Sequence, residues 1–265
     1  EIAPSDWSSD VCSSDLVLAT ELTACGIDLS FTPVLDLDWG TCPVIGNRSF
    51  HRNADTVTQL ALALQKGLNR GGMKSCGKHF PGHGFVEGDS HLVQPEDTRS
   101  LVELEAADMI PFRALSDEGM AAVMPAHVVY PQIDGKPAGF SEKWLKQILR
   151  QDIGFKGVIF SDDLTMEGAG AAGGIKERAN ASFTAGCDIV LVCNRPDLVD
   201  ELRDGFQIPA NPDLANRWQY MANTLGKEAA QVVMQTPTFQ AAQAMTAQLA
   251  TPEDTAGGVK VGEAF

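Results

Sequence analysis

The sequence predicts an α/β fold in which a parallel sheet of five strands is connected by helices, as in a (β/α)8 barrel. Apolar runs of strand length alternate with helical patterns along the chain, which is typical of parallel strands with helical crossovers. The apolar runs are continuous, as in sheets buried on both faces. Polar residues follow the runs directly, and in a barrel that end carries the active site. A doubly wound open sheet is the alternative, although no G-x-G-x-x-G follows any of the runs.

The helices are justified by their spacing and their ends. Gly26 is a predicted C-cap, the Gly71-Gly72 pair closes the second helical pattern, and Ser141 is a predicted N-cap. The predicted helices cover Val17–Cys25, Ala54–Gly71, Leu101–Asp117, Ser141–Gln151 and Ile175–Ala185. The predicted strands cover Ile27–Asp36, Met73–Phe80, Ala121–Val129, Gly157–Asp163 and Cys187–Asn194. The polar residues at their carboxyl ends are Asp36, Lys78, His79, His127, Asp162, Asp163 and Asn194.

The two ends of the chain differ from this pattern. Helices are predicted over Gln207–Ala250, so that a single domain covers residues 17–250, and Thr251–Phe265 is predicted to be a frayed tail. Ser5–Leu16 reads SDWSSDVCSSDL. This string matches, codon for codon, the translation of a common sequencing-adapter sequence. We therefore predict that residues 1–16 are a non-native segment and that the native sequence begins near Val17.

Composition excludes several classes of function. The net charge of −15 argues against nucleic acid or an anionic membrane as the main partner. No run of eighteen apolar residues is present that could span a membrane. The six cysteines form no C-x-x-C pair and several lie in apolar runs, which predicts buried free thiols in a reducing compartment.

The stretch KHFPGHGFVEGDSH contains three of the five histidines. A metal site is disfavoured, because Pro81 and Gly82 separate His79 from His83 and prevent a helix that would align the two rings. A loop that binds a polar ligand is favoured, because the glycines allow a close backbone approach and Lys78 can donate to hydroxyl groups. For Lys78 and His79 the alternative is a buried ion pair at the barrel rim, and for His83 a structural role is equally compatible with the pattern.

Two further patterns indicate acid–base and nucleophilic chemistry. Asp89 lies two residues from His91, and a neighbouring carboxylate can fix the tautomer of an imidazole and raise its pKa, as general acid–base catalysis requires. Asp162 directly follows an apolar strand, where a carboxylate could attack an anomeric carbon, as in retaining glycosidases. The alternative role, capping of the following turn, is assigned to Asp163 rather than to Asp162.

Together these motifs resemble the β-N-acetylhexosaminidases of glycoside hydrolase family 3, of the bacterial cell-wall-recycling kind. The likeness covers roughly Val17–Asn194. The stretches that carry it are IDLSFTPVLDLD, IGNRSFH, GMKSCGKHFPGHGFVEGDSH, MPAHVVY, GVIFSDDLTMEGA and AGCDIVLVCN.

The resemblance implies roles for named residues. Asp162 would be the nucleophile that forms a glycosyl-enzyme, and His91 would be the acid/base with Asp89 as its partner. The substrate-binding residues would be Arg48, Lys78 and His79. The implied substrate is a muropeptide fragment in which N-acetylglucosamine is linked to anhydro-N-acetylmuramic acid. The resemblance implies no metal or organic cofactor. It also implies a location in the bacterial cytoplasm and a small-molecule substrate as the partner, with no nucleic acid or membrane. We expect a monomer.

The sequence departs from the family in one respect. The family fold is a complete (β/α)8 barrel, whereas five strands are predicted here, so that roughly ninety residues with three strands are absent. The family's D-Q-E-G-G-type strand end, which holds sugar hydroxyls, does not occur in this chain. The predicted fold is therefore an incomplete barrel made of the last five units. A β-N-acetylglucosaminide phosphorylase and an inactive fragment remain as alternatives to the hydrolase.

Overall fold

The computed structural model describes residues 4–88 and 94–249. The α-helices are α1 to α9, over Pro4–Ala24, Ala54–Arg70, Leu101–Glu105, Ile110–Asp117, Ile175–Ala185, Pro196–Arg203, Leu214–Gln219, Lys227–Val233 and Pro237–Leu249. The strands are β1 to β7, over Leu29–Ser30, Lys74–Phe80, Ala122–Pro125, Val129–Tyr130, Asp134–Pro137, Val158–Asp163 and Ile189–Leu191. A π-helix covers Lys143–Asp152, and 3-10 turns cover Gly46–Arg48, Ala138–Phe140 and Glu167–Ala172.

Five strands form a parallel sheet in the order β1-β2-β3-β6-β7. The five predicted parallel strands in chain order are therefore confirmed for the described residues. Strands that were predicted to follow one another along the chain lie side by side in the sheet. The reason is that each helical connection returns the chain beside the strand it has just left.

The first strand is shorter than the predicted Ile27–Asp36. Pairing in β1 is confined to Leu29 and Ser30, and a single parallel bridge joins Val34 to Lys78. Pro33 interrupts the run, because proline has no N–H to donate to a neighbouring strand. The residues after it still follow β2, where Leu35 N donates to Lys78 O at 2.6 Å.

Two other predicted elements are divided. The helix predicted over Leu101–Asp117 is two helices, with Pro111 in the first turn of the second. The strand predicted over Ala121–Val129 ends at Pro125, and Val129 instead begins a two-stranded antiparallel ribbon of β4 and β5 that was not predicted. Both breaks lie beside a proline, whose ring is compatible with a first helical turn but not with continued pairing.

The predicted cap at Ser141 is present, but the helix after it is wound differently. Ser141 Oγ accepts from Trp144 N at 3.1 Å, and the helix itself is of the π type. Its buried face carries Trp144, Leu145, Ile148 and Leu149. The predicted helix over Ile175–Ala185 is confirmed with those bounds.

The chain divides into two compact units. Of the described residues, the first comprises 4–30, 62–75 and 222–249. Within it α1 packs against α8 and α9, with Leu16 and Val17 buried against Phe239 and Ala242. Helix α1 extends the predicted helix back to Pro4, so the described part of the adapter-like segment is helical. The predicted tail at 251–265 lies outside the described residues.

The second unit comprises the described residues 31–61, 76–88 and 94–221. Its core contains an aromatic cluster in which Phe80 meets Phe112 and Trp144 edge-on, at centroid distances of 5.3 and 5.9 Å. Tyr130 packs on Trp144 and donates its hydroxyl to Gly82 O at 2.8 Å. This cluster fixes the chain directly after β2, which carries the polar motif described below.

In the part of the chain that the structure describes, no helix is long and apolar enough to cross a membrane. None of the six cysteines forms a disulfide, and Cys42, Cys76 and Cys187 are buried. The prediction of buried cysteines outside disulfides is therefore confirmed for three of the six.

Candidate active site

Lys78 and His79 lie at the carboxyl end of β2, in the second unit. Lys78 is paired in register with Met124 of β3, and its N–H donates to Pro33 O at 3.1 Å. The Lys78 side chain is half-buried, whereas His79 is buried. The backbone at the end of β2 is held between β3 and the segment that contains Pro33. The side chains of Lys78 and His79 therefore leave the sheet in fixed directions.

The carboxylate of Asp36 holds the histidine-rich turn that begins at the end of β2. Its carboxylate is buried and accepts from His83 N at 2.7 Å and from His79 N at 3.2 Å. The same carboxylate lies 2.7 Å from Nδ1 of His79. Burial alone would raise the pKa of Asp36, but the neighbouring His79 and His83 outweigh it and lower the pKa below its ordinary value. Asp36 is therefore an ionised, buried anchor for the histidine-rich turn.

Glycines let this turn come close to neighbouring segments. Gly82 has a φ of +145°, and a Cβ added there would lie 2.7 Å from Cβ of Asp108. A Cβ on Gly84 would collide with the carbonyl oxygen of Leu37. A side chain at either position would displace the turn from Asp36, so the glycines of KHFPGHG are required by packing.

Asp162 lies near the carboxyl end of β6 and is half-buried. Its Oδ1 accepts from Asp163 N at 2.8 Å. Asp163 has a different role, because its carboxylate accepts from Thr165 N at 2.9 Å and from Cys193 N at 3.0 Å. The turn after β6 is thus stabilised by Asp163, and Asp162 is not used for that purpose.

The charges of the site act on one another. Burial raises the pKa of Asp162, but His79, His127, a backbone N–H and Lys78 together lower it below its ordinary value. Burial and the positive charge of Arg48 lower the pKa of Lys78, against the opposing effects of Asp162 and Asp36. The structure therefore brings Lys78, His79 and Asp162 into one electrostatic environment, with Asp162 as a carboxylate.

Arg48 lies at the end of the 3-10 turn Gly46–Arg48 and is exposed. Its guanidinium donates to Val44 O at 3.1 Å and is close enough to Lys78 to depress that residue's pKa. Arg48 is the most exposed of the described residues that were predicted for the site.

Two residues with a part in this environment were noted in the sequence only as polar strand ends. Asp36 binds the turn after β2, and His127, fully buried, lies 3.2 Å through Nε2 from the carbonyl oxygen of Asp163. Burial lowers the pKa of His127, although Asp162 acts in the opposite direction. The position of each residue at a strand end was the only signal in the sequence for a role in the site. Their hydrogen-bond partners could not be identified from the sequence, because they lie 43 and 36 residues away along the chain.

Asp89 and His91 lie outside the described residues, which end at Gly88 and resume at Gln94.

Among the described residues, no group of three or more His, Cys, Asp or Glu side chains is arranged to hold a metal ion. A cavity of about 470 Å³ between the β4–β5 ribbon and α5 is lined by Lys136, Phe140, Glu177 and Asn180, among others, and by none of the predicted site residues.

Comparison with known families and sequences gives one consistent result. Residues 8–210 match the model of the glycosyl hydrolase family 3 N terminal domain. A β-hexosaminidase of Neisseria meningitidis serogroup C is 83% identical over 249 residues, which cover 94% of this chain and 69% of that protein. A β-hexosaminidase of Chromobacterium violaceum is 58% identical over 94% of this chain and 70% of its own length.

Solved structures agree with the sequence matches. NagZ from Neisseria gonorrhoeae, in complex with N-trifluoroacetyl-D-glucosamine, superimposes with a TM-score of 0.86 at 77% identity. The match covers 92% of this chain and 70% of that one. A family 3 β-N-acetylglucosaminidase from a Paenibacillus species superimposes with a TM-score of 0.72 at 27% identity, over 97% of this chain and 47% of the other.

Proposed function

The chain belongs to glycosyl hydrolase family 3, among its β-hexosaminidases, and we propose that it carries the machinery of a retaining β-N-acetylglucosaminidase. The observation that carries this proposal is the position of Asp162 near the end of β6, where its pKa is lowered in part by the charges of His79 and Lys78. A retaining glycosidase needs a carboxylate that attacks the anomeric carbon and a separate proton donor.

Asp162 is suited to the nucleophilic step. Its pKa is held below the ordinary value by His79, His127, a backbone N–H and Lys78 despite burial, so the attacking oxygen is unprotonated at neutral pH. In the first step this oxygen forms a bond to the anomeric carbon while the bond to the leaving group breaks. In the second step water attacks the same carbon and releases Asp162, so the product keeps the β configuration.

Lys78, His79 and Arg48 are suited to holding the sugar. Lysine and arginine donate hydrogen bonds to hydroxyl groups. The half-buried Lys78 lies near Asp162, and Arg48 is exposed. We assign Lys78 and His79 to the reacting sugar and Arg48 to its acetamido group or to the neighbouring residue.

We assign the proton-transfer role to His91, with Asp89 as its partner. The assignment comes from the resemblance of KHFPGHGFVEGDSH to the family motif. The chain on both sides of this pair is held, because Thr41 donates to Phe85 O at 2.8 Å and Asp97 N donates to Val129 O at 2.8 Å. An imidazole can give a proton to the leaving group and then take one from water.

The proposed substrate is a terminal β-linked N-acetylglucosamine on an anhydro-muropeptide. The similar Neisseria gonorrhoeae protein was solved with an N-acylated glucosamine. The aglycone is inferred from the family resemblance. The same resemblance supports the proposal that the five parallel strands are part of a (β/α)8 barrel and that the protein acts in the bacterial cytoplasm.

We retain the proposal that residues 1–16 derive from a sequencing adapter. The match to the family model begins at residue 8, inside this segment. Resequencing of the source locus decides the matter, because an authentic SDWSSDVCSSDL tract at that locus would exclude an adapter origin.

A trapping experiment tests the nucleophile. The chain is incubated with 5-fluoro-N-acetyl-β-glucosaminyl fluoride, in which the fluorine at C5 slows both steps by destabilising their oxocarbenium-like transition states. The anomeric fluoride is a good leaving group that keeps the first step fast enough for the glycosyl-enzyme to accumulate. We expect one added glycosyl group by intact-mass measurement and its location on Asp162 by peptide mapping. Asp162→Asn should take up no label, whereas Asp163→Asn should still take up label in proportion to its folded fraction. Labelling of another carboxylate would contradict the assignment, and absence of label in the wild type would favour the inactive fragment.

A second arm separates hydrolysis from phosphorolysis. The chain is given 4-nitrophenyl N-acetyl-β-glucosaminide with and without phosphate, and the sugar product is identified by mass. We expect free N-acetylglucosamine under both conditions. Formation of N-acetylglucosamine phosphate would assign the protein to the phosphorolytic alternative.

A further inference from the structure

The contact between Asp36 and His79 fixes more than the position of a ring. Oδ2 of Asp36 lies 2.7 Å from Nδ1 of His79, and the Asp36 side chain is completely buried. A carboxylate can only accept, so the proton of this hydrogen bond is on Nδ1. Among the described residues no hydrogen bond involves Nε2 of His79.

The Asp36 carboxylate is itself held in place from two directions. His79 N and His83 N both donate to it, at 3.2 and 2.7 Å. On the other side of the chain, Ser49 Oγ donates to the carbonyl oxygen of Asp36 at 2.6 Å. Because both oxygens of the Asp36 carboxylate accept from the backbone of the turn, the carboxylate cannot rotate away from the ring, and the Ser49 contact reaches only the Asp36 backbone.

The groups around His79 show what this tautomer can contribute to sugar binding. Lys78 and Arg48 can only donate hydrogen bonds, and Asp162 is the carboxylate that reacts. A sugar hydroxyl that must donate therefore needs another acceptor. A neutral imidazole with its proton on Nδ1 has an unprotonated Nε2 that accepts.

We propose that Asp36 is a positioning residue that keeps the proton of His79 on Nδ1, so that Nε2 accepts a hydrogen bond from one hydroxyl group of the sugar. This inference rests on the proposed function, since it names the property of the bound sugar that His79 recognises. It assigns a role to a residue 43 positions away from the ring that it controls.

The tautomer can be measured without substrate. Chain labelled with ¹⁵N-histidine is examined at pH 8, above the ordinary imidazole pKa of about 6.5, and the His79 signals are assigned with His79→Gln. We expect the nitrogen shifts of a ring protonated at Nδ1. In Asp36→Asn, the amide oxygen can keep the two backbone donors while the NH₂ group faces Nδ1, so the proton should move to Nε2.

Ser49→Ala is the matched control, because it removes a contact to the Asp36 backbone and leaves the carboxylate in place. It should keep the wild-type tautomer. A wild-type ring protonated at Nε2 would overturn the proposal, and so would a folded Asp36→Asn variant with unchanged nitrogen shifts. Should Asp36→Asn fail to fold, the wild-type spectrum alone decides.

The consequence for recognition is measured with 4-nitrophenyl N-acetyl-β-glucosaminide and its 3-, 4- and 6-deoxyfluoro analogues. Fluorine cannot donate a hydrogen bond. For one of the three positions we expect kcat/KM of the wild type to fall by about tenfold or more, as for a lost hydrogen bond. In Asp36→Asn the ratio of kcat/KM between the parent substrate and that analogue should approach one. In Ser49→Ala the ratio should stay at the wild-type value. An unchanged penalty in Asp36→Asn would refute the inference about recognition, and the tautomer experiment remains decisive even for a chain without turnover.

Discussion

Arg99 and Asp108 form a buried ion pair in which Nη1 of Arg99 donates to Oδ2 of Asp108 at 2.6 Å. The same guanidinium binds Asp97, with Nη2 2.7 Å from Oδ2, and its carbon lies 4.1 Å from the centre of the Phe85 ring. Trp39 donates to the second oxygen of Asp108 at 3.0 Å. This cluster connects the chain before Gly88 with the chain after Gln94, so it fixes both ends of the described segments that flank the proposed acid/base.

Arg99→Met should strongly destabilise the protein. The substitution leaves Asp97 and Asp108, both buried, without their cation, and removal of one partner of a buried pair costs about 3–5 kcal/mol. Urea unfolding measures the change. Arg113→Met is the control, because the Arg113 and Glu105 side chains of its bridge are 35% and 40% exposed. Such a pair should contribute about 0–1 kcal/mol. Equal effects of the two substitutions would show that the cluster contributes no more than a surface pair.

Asp162→Ala should reduce turnover to background, because the group that forms the glycosyl-enzyme is removed. Added azide should restore release of nitrophenol from 4-nitrophenyl N-acetyl-β-glucosaminide and give the α-glycosyl azide, since azide then attacks directly from the face that Asp162 occupied. Product analysis by NMR reads the configuration. A β-glycosyl azide from this variant would contradict the role of Asp162.

His91→Ala should behave differently from Asp162→Ala. Proton transfer typically contributes ~10²–10⁴-fold, so substrates with poor leaving groups should suffer by about that factor, whereas nitrophenolate needs little protonation. The second step should become slow, and azide should accelerate it and give the β-glycosyl azide. Asp89→Asn should fall between the wild type and His91→Ala. Equal losses for good and poor leaving groups, with no rescue by azide, would exclude His91 as the acid/base.

The pH dependence of the first step should not come from Asp162. Its folded-state pKa is lowered below the ordinary 3.8, so the carboxylate is formed at all higher pH values and is lost only as the pH falls through that lowered value. In the double variant His79→Gln/His91→Ala, which lacks both imidazoles assigned to the substrate, the first-step rate with an activated 2,4-dinitrophenyl substrate, measured by rapid mixing, should stay flat between pH 5 and 8. A rate that falls with an apparent pKa in this range would contradict the ionised state of Asp162.

Asp15→Asn should stabilise the protein at alkaline pH. Burial raises the pKa of Asp15 from 3.8 to about 7, so the folded state binds a proton more tightly than the unfolded state. The wild type therefore loses stability as pH rises from about 4 to 7. At pH 8 the Asn variant should be more stable by roughly 2 kcal/mol, allowing for solvent screening, and at pH 4 the difference should vanish.

Urea unfolding at both pH values checks the prediction for Asp15. Glu21→Gln is the control, because it removes one negative charge from an exposed position in the same helix. It should show no comparable dependence on pH. A gain in stability from Asp15→Asn that is the same at pH 4 and pH 8 would exclude a buried charge as its cause.

The sequence by itself determined the alternation of strands and helices, the parallel sheet of five strands and the family of the protein. Burial patterns repeat locally, and a contiguous motif such as KHFPGHG carries its chemistry without reference to distant residues. The ends of β2 and β6 could be identified in this way, and with them Lys78, His79 and Asp162 as residues that should lie at one edge of the sheet.

The tertiary structure decided what these residues contact. It joined Asp36 to His79 and His127 to the turn at Asp163, divided the segments at Pro33 and Pro111, and added the β4–β5 ribbon. Side-chain hydrogen bonds between strand ends depend on the register of segments that lie tens of residues apart, and a shift of one residue would turn each side chain to the other face. That register is fixed by packing of the whole sheet, so no local pattern in the sequence could have paired Asp36 with its histidine.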